Sequence, residues 1–193
     1  MKKLIINPTL MLIAMMALTA CVQSNQQEKR QTTPKKVKLQ YEYNMFCPSD
    51  ILEFADIEVT YSDGNGNLVA DTISSGQQEV PNSDSGSTVD WHTNIKIDVV
   101  PTRVYLSFRY LPKADISAGT DKSVSTAATM YFASVNTDQI MNFHQSFETP
   151  DKSVKASELK AYFDKFNQNP PTLDYTLQEM SGLLNTLGLV KNN

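Results

Sequence analysis

The chain has 193 residues, a formal net charge of −4 and 40% hydrophobic residues. Its mildly acidic balance offers no electrostatic footprint for nucleic acid, which excludes that class of partner. With only two cysteines a disulfide framework is excluded too, so stability rests on a hydrophobic core, for which this length is ample.

Lys2 and Lys3 form a short basic region, and Leu10 to Leu18 is an uninterrupted apolar run. Small residues Thr19 and Ala20 follow, then Cys21, which together make the pattern of a secretory signal. The run is too short to cross a bilayer, which takes about 20 apolar residues. Asn7 and Pro8 stop it from extending toward the N-terminus. The tetrad Leu18-Thr19-Ala20-Cys21 resembles the lipobox of bacterial lipoproteins. That resemblance implies a signal peptide over residues 1–20, cleavage before Cys21 and lipidation of its thiol. Two or more acyl chains anchor stably, at about 0.8 kcal/mol per buried CH₂. Val22 stands where an Asp often retains such proteins at the inner membrane, so the resemblance implies sorting to the outer membrane, on its periplasmic or its surface side.

Residues 22–36 hold no aromatic residue and almost nothing apolar, and cannot bury enough surface to offset their ordering entropy. With the lipidated cysteine, 21–36 reads as a flexible tether, reaching roughly 20–25 Å. Every aromatic residue lies between Tyr41 and Tyr175, which marks one domain over 37–193.

Val37, Leu39, Tyr41, Tyr43 and Met45 alternate with polar residues, the period of a half-buried strand. Ile57, Val59 and Tyr61 predict a second strand, Ser62–Asn67 a turn and Leu68–Ile73 the returning arm of a hairpin. Residues 74–88 read as a long loop. Trp91 to Val99 and Val104 to Tyr110 predict strands joined at Pro101, and 112–123 a second long loop. Residues 124–135 and 139–147 predict two more strands, the second burying Met141, Phe143 and Phe147.

The period then changes. Leu159, Tyr162, Phe163 and Phe166 fall at helical spacing, with Ser157 as N-cap, Glu158 in the first turn and Pro170-Pro171 as the stop. Residues 172–187 fit either a strand followed by a short helix from about Gln178, or one continuous helix. Thr172, Tyr175 and Thr176 favour the strand. The expected fold is mainly β, an antiparallel immunoglobulin-like β-sandwich with a C-terminal amphipathic helix.

Chemistry-bearing residues are sparse. His92 and His144 fall on outward strand positions, with no nucleophile or orienting acid in a recognisable arrangement. Cys47 lies between Phe46 and Pro48 and reads as a buried, inert thiol. Asp63, Asn65 and Asn67 alternate oxygen ligands as a calcium loop begins, but Leu68 and Ser74 stand where an EF-hand needs Gly and Glu, so a hairpin turn is the plainer reading. Asp71-Thr72-Ile73 resembles a short acceptor motif of some envelope O-glycosylation systems, with Thr72 as acceptor.

No cofactor is expected. The leading expectation is a non-catalytic envelope lipoprotein, similar to small bacterial lipoproteins of unassigned function. It is held to the membrane through Cys21, with an envelope protein or glycan bound at loops 74–88 and 112–123. The alternative is an envelope hydrolase acting on glycans or peptides with a carboxylate-based site. Strand parity places both loops at the end of the sandwich away from Lys36 and Gly64.

Overall fold

The first strand, β1 (Lys35–Pro48), begins two residues before the expected start and takes in the last two residues assigned to the tether. The computed structural model describes residues 33–76, 79–82, 86–114, 116, 122–135, 143–181 and 186–192. Cys21 and most of the tether, Met141 and Ser117 lie outside them. Pro34–Asn193 forms one compact unit.

Alternation along β1 buries Leu39, Tyr41, Tyr43, Met45 and Cys47 on one face. It pairs antiparallel with β5 (Gly86–Val100) on one side and β8 (Thr129–Val135) on the other. With β4 (Glu79–Asn82) and β9 (His144–Glu148) they make a five-stranded sheet ordered β4-β5-β1-β8-β9. The facing sheet is built from β2 (Ala55–Ser62), β3 (Leu68–Ile73), β6 (Thr102–Pro112), β11 (Thr172–Glu179) and β12 (Leu187–Lys191), in the order β12-β11-β6-β2-β3. A small ladder joins β7 (Ser123–Ser125) to β10 (Ser153–Lys155). The chain is thus an antiparallel β-sandwich, as its period-2 patterning predicts. It shares the sandwich architecture of immunoglobulin-like folds, with its own strand order.

The sheets meet through aromatic rings. Tyr43 of β1 packs on Tyr61 of β2, and Tyr61 on Trp91 of β5, with centroids 5.8 and 5.3 Å apart. Phe132 of β8 meets Tyr175 of β11 edge-on. The Trp91 indole N–H donates to Asp71 of β3, and the Tyr43 hydroxyl pairs with Ser62 inside the core.

Four sequence expectations change. The loop 74–88 contains β4, whose backbone pairs with the first residues of β5; composition rich in Ser, Gly and Asn does not remove ladder hydrogen-bonding groups. The strand expected over 124–135 is two strands, because 126–128 leave the ladder to bond Thr149 and Lys152 instead. The helix is α1 (Leu159–Phe166), preceded by a 3₁₀ turn over Ala156–Glu158; Ser157 lies inside that turn and is not the N-cap, which falls on Glu158 without a side-chain cap bond. The second helix is not seen in the described residues. Gln178 and Glu179 belong to β11 and pair with Gly188 and Leu187, because β12 lies antiparallel along β11 and takes up the backbone groups that a helix would satisfy internally. Residues 182–185 lie outside the described set.

Register fixes which end is which. Lys36 pairs with Val99 and Pro48 with Thr88, so Lys36 and the turn at cis Val100–Pro101 share one end of the sandwich. Gly64 belongs there too: a Cβ on it would lie 2.0 Å from the Lys96 carbonyl oxygen, so only glycine fits. Pro81 pairs with Ser87 beyond Pro48, at the opposite, distal end, as strand parity predicts. There the 3₁₀ turn Ser49–Glu53 gathers the loop ends. Ser75 Oγ and Lys113 Nζ donate to the Leu52 carbonyl, and Lys122 pairs with Glu53 and Asp50.

Candidate binding groove

Phe147 follows the inward parity of β9, since it stands opposite buried Met130 and two residues from Gln145, which opposes buried Phe132. Sequence alternation therefore predicts a buried ring. Phe147 is instead 40% exposed, because β9 is the last strand of its sheet and the opposing layer here is a short helix. The gap is a groove of about 470 Å³.

Its walls follow from local chemistry. On one side lie Phe147, Thr149, Pro150 and Lys152. Thr149 is fixed at both backbone and side chain: its N–H donates to the Ala128 carbonyl, and its hydroxyl donates to the Thr126 carbonyl while accepting the Ala128 N–H. On the other side stand Tyr162 and Phe166 of α1, then Pro171 beyond the helix. The amphipathic stripe of α1 turns Leu159 and Phe163 fully inward, with Phe163 4.7 Å from Tyr110. Tyr162 and Phe166 lie at the margin of the stripe, half covered by the Tyr110 and Phe108 rings.

Asn167, just past α1, locks the helix to the sheet. β11 begins pairing with β6 only at Ser107, which leaves the backbone of Tyr110 without a strand partner on that side. The Asn167 amide supplies one, accepting the Tyr110 N–H at 3.0 Å and donating to its carbonyl at 2.7 Å. Both groups that a ladder would satisfy are satisfied by one side chain.

The rim carries Lys152 and Lys165 and no carboxylate. Nearby acids are engaged elsewhere: Asp164 pairs with Lys160, and Asp151 accepts from Ser125. Glu148 stands on the opposite face of β9. The groove is therefore an apolar, aromatic slot with a cationic rim, in a chain of net charge −4. Glu148 opposes Thr129, which opposes Phe46 near Pro48, so the groove opens toward the distal end.

The residues singled out from sequence are not brought together here. Asp63, Asn65 and Asn67 form the β2–β3 turn. The Asp63 carboxylate accepts the N–H groups of Asn65 and Asn67 and the Asn67 side-chain amide. Desolvation works against its ionised form, but these hydrogen bonds outweigh it and hold its pKa below the usual carboxylate value. No cluster of three or more His, Cys, Asp and Glu suited to a metal occurs among the described residues. Thr72 is exposed on edge strand β3, while its neighbour Asp71 accepts from Trp91 and Tyr61. His92 and His144 are both exposed on the outer face of the first sheet, at the outward positions that alternation predicts. Cys47 is buried, and desolvation pushes its thiol up to about 12. The described ends of the loops 74–88 and 112–123 reach the distal end, but they are tied to Ser49–Glu53, and the groove beside them uses other residues.

Sequence reasoning found the aromatic stripe of α1 but not the groove. The available signal was Pro150, Pro170 and Pro171 bracketing that stripe, of which Pro150 and Pro171 line the groove. Comparison of the chain with protein-family models, curated proteins and solved structures yields no match.

Proposed function

We propose that this chain is a non-catalytic lipoprotein of the cell envelope, held to the outer membrane by acyl groups on Cys21, whose β-sandwich binds a partner in the distal groove. The observation that carries the binding reading is the partly uncovered aromatic wall of Phe147, Tyr162 and Phe166, at the end opposite Lys35. Concave, largely apolar sites with a few polar groups are where ligands bind. The anchor reading rests on Leu18-Thr19-Ala20-Cys21 after its apolar run. The chain enters the domain at Lys35, at the end opposite the groove.

Fractionation tests the anchor. Cys21→Ser is expected to move the chain from the detergent phase to the aqueous phase, and unchanged partitioning overturns the lipoprotein reading. A photo-crosslinking residue at position 147, irradiated in intact envelopes, tests the groove. The expected result is a discrete adduct that is lost when Lys152 and Lys165 are both reversed to Glu. Absence of any adduct counts against a partner there.

A further inference from the structure

We infer that the groove takes a small amphiphilic anion, an apolar body carrying a carboxylate or phosphate, with the body in the slot and the anionic head on Lys152 and Lys165; this rests on the binding reading above. Size comes first. At about 470 Å³ the slot falls within the range of small-molecule sites, about 300–1,000 Å³. An apolar body placed against Phe147, Tyr162 and Phe166 takes the exposed part of the Phe147 ring out of water. The walls are also set before anything binds. Thr149 is held at its N–H and its hydroxyl, and Asn167 is locked onto Tyr110. Gln168 and Asn169 close the turn after α1, donating their N–H groups to the Lys165 and Phe166 carbonyls. A slot formed in advance loses little conformational freedom when it is filled.

The polar side chains set the charge of the ligand. Lys152, Lys165, Gln168 and Asn169 line the groove and are exposed, and none of these side chains has a hydrogen-bond or ion-pair partner among the described residues. An ammonium is a donor only, and each amide adds N–H donors beside its carbonyl. With no carboxylate among the lining residues, donors outnumber acceptors and both formal charges are positive. A negatively charged group built of acceptor oxygens complements that set, and an ammonium is repelled by it. The aromatic wall and the cationic rim thus ask for two different parts of one molecule.

The test uses the full chain in a neutral detergent, with uptake by protein-free micelles subtracted, and four probes built on one ring. These are naphthoate, naphthyl phosphate, the neutral naphthamide and the cationic naphthylmethylamine. Both anions are expected to bind at least about tenfold more tightly than the amide, and the amine more weakly still. The tighter of the two anions names the head group. Reversing Lys152 and Lys165 to Glu should invert the order of anions and amine. Both lysines are exposed, so the variant keeps the fold. Phe147→Ser should weaken all four probes alike, because it removes a contact to the ring and none to the head. Binding indifferent to the charge of the head overturns the inference, as does anion binding that persists in the reversed variant. In envelopes, the crosslink at position 147 should add the mass of a small molecule. A protein-sized adduct, with no probe bound, overturns the small anion and leaves the groove a site for another ligand. Absence of both adduct and probe binding removes the binding reading itself.

Discussion

Two aromatic groups in this chain share a composition and differ in what covers them. Between the sheets, Tyr43, Tyr61 and Trp91 meet across β1, β2 and β5, and Trp91 is 1% exposed. At the distal end Tyr110, Tyr162 and Phe166 meet at 4.9 to 6.3 Å, and the group continues to Phe147, which is 40% exposed. The first group has a five-stranded sheet on either side. The second has a sheet on one side and a helix of eight residues on the other. A two-turn helix is too short to cover the width that β9 leaves open, so rings of the same kind serve as core in one place and as an open wall in the other.

The comparison breaks most directly at Trp91. Trp91→Ala removes the ring that joins three strands and leaves a cavity that two sheets cannot easily close. It should cost about 3–5 kcal/mol, read as a lower denaturant midpoint at unchanged slope. A loss below about 1 kcal/mol would show that the inter-sheet rings are not the main support of the sandwich.

That difference also explains what was legible beforehand. Alternation in Val37–Met45, Trp91–Val99 and Val104–Tyr110 reports one buried face, and the sheets that bury those faces are long, so strands, inward residues and the two surface histidines follow from period alone. Alternation cannot report what lies across from a strand. Phe147 has inward parity like Met130, and only the shortness of α1 decides that it stays open. Helical spacing misleads at Leu173, Leu177, Met180, Leu184 and Leu187 for a related reason. Leu173 and Leu177 suit a helix locally, and pairing with β6 places them in a strand instead. Asn167 carries no local signal, because its partner Tyr110 is distant in sequence.

Asn167 offers the sharper cut. Asn167→Ala leaves the Tyr110 N–H and carbonyl without their partners, part-buried beneath the helix. One unsatisfied buried group costs about 1–3 kcal/mol, and water entering at the groove can satisfy part of the loss, so about 2 kcal/mol is expected in total. Amide exchange should place it: the Tyr110 N–H and the α1 amides should lose protection, while the β1 and β5 amides keep theirs. Equal loss of protection in both regions would mean that α1 does not open separately from the sandwich.

The smallest effect is the most telling for function. Phe147→Ser removes an aromatic ring from inward parity on a strand, a change that at Trp91 or Phe132 would be severe. Here the ring is open to solvent on the groove side and its strand is an edge, so its deletion empties no enclosed volume. The expected loss is within about 0.5 kcal/mol, as for surface positions that carry no special contact. Occupancy of the groove should respond differently, because the ring forms one of its walls. An unchanged melting midpoint separates the open wall from the core. A loss of several kcal/mol at Phe147 would instead join the two aromatic groups into one core, and the exposure of that ring would no longer argue for a partner.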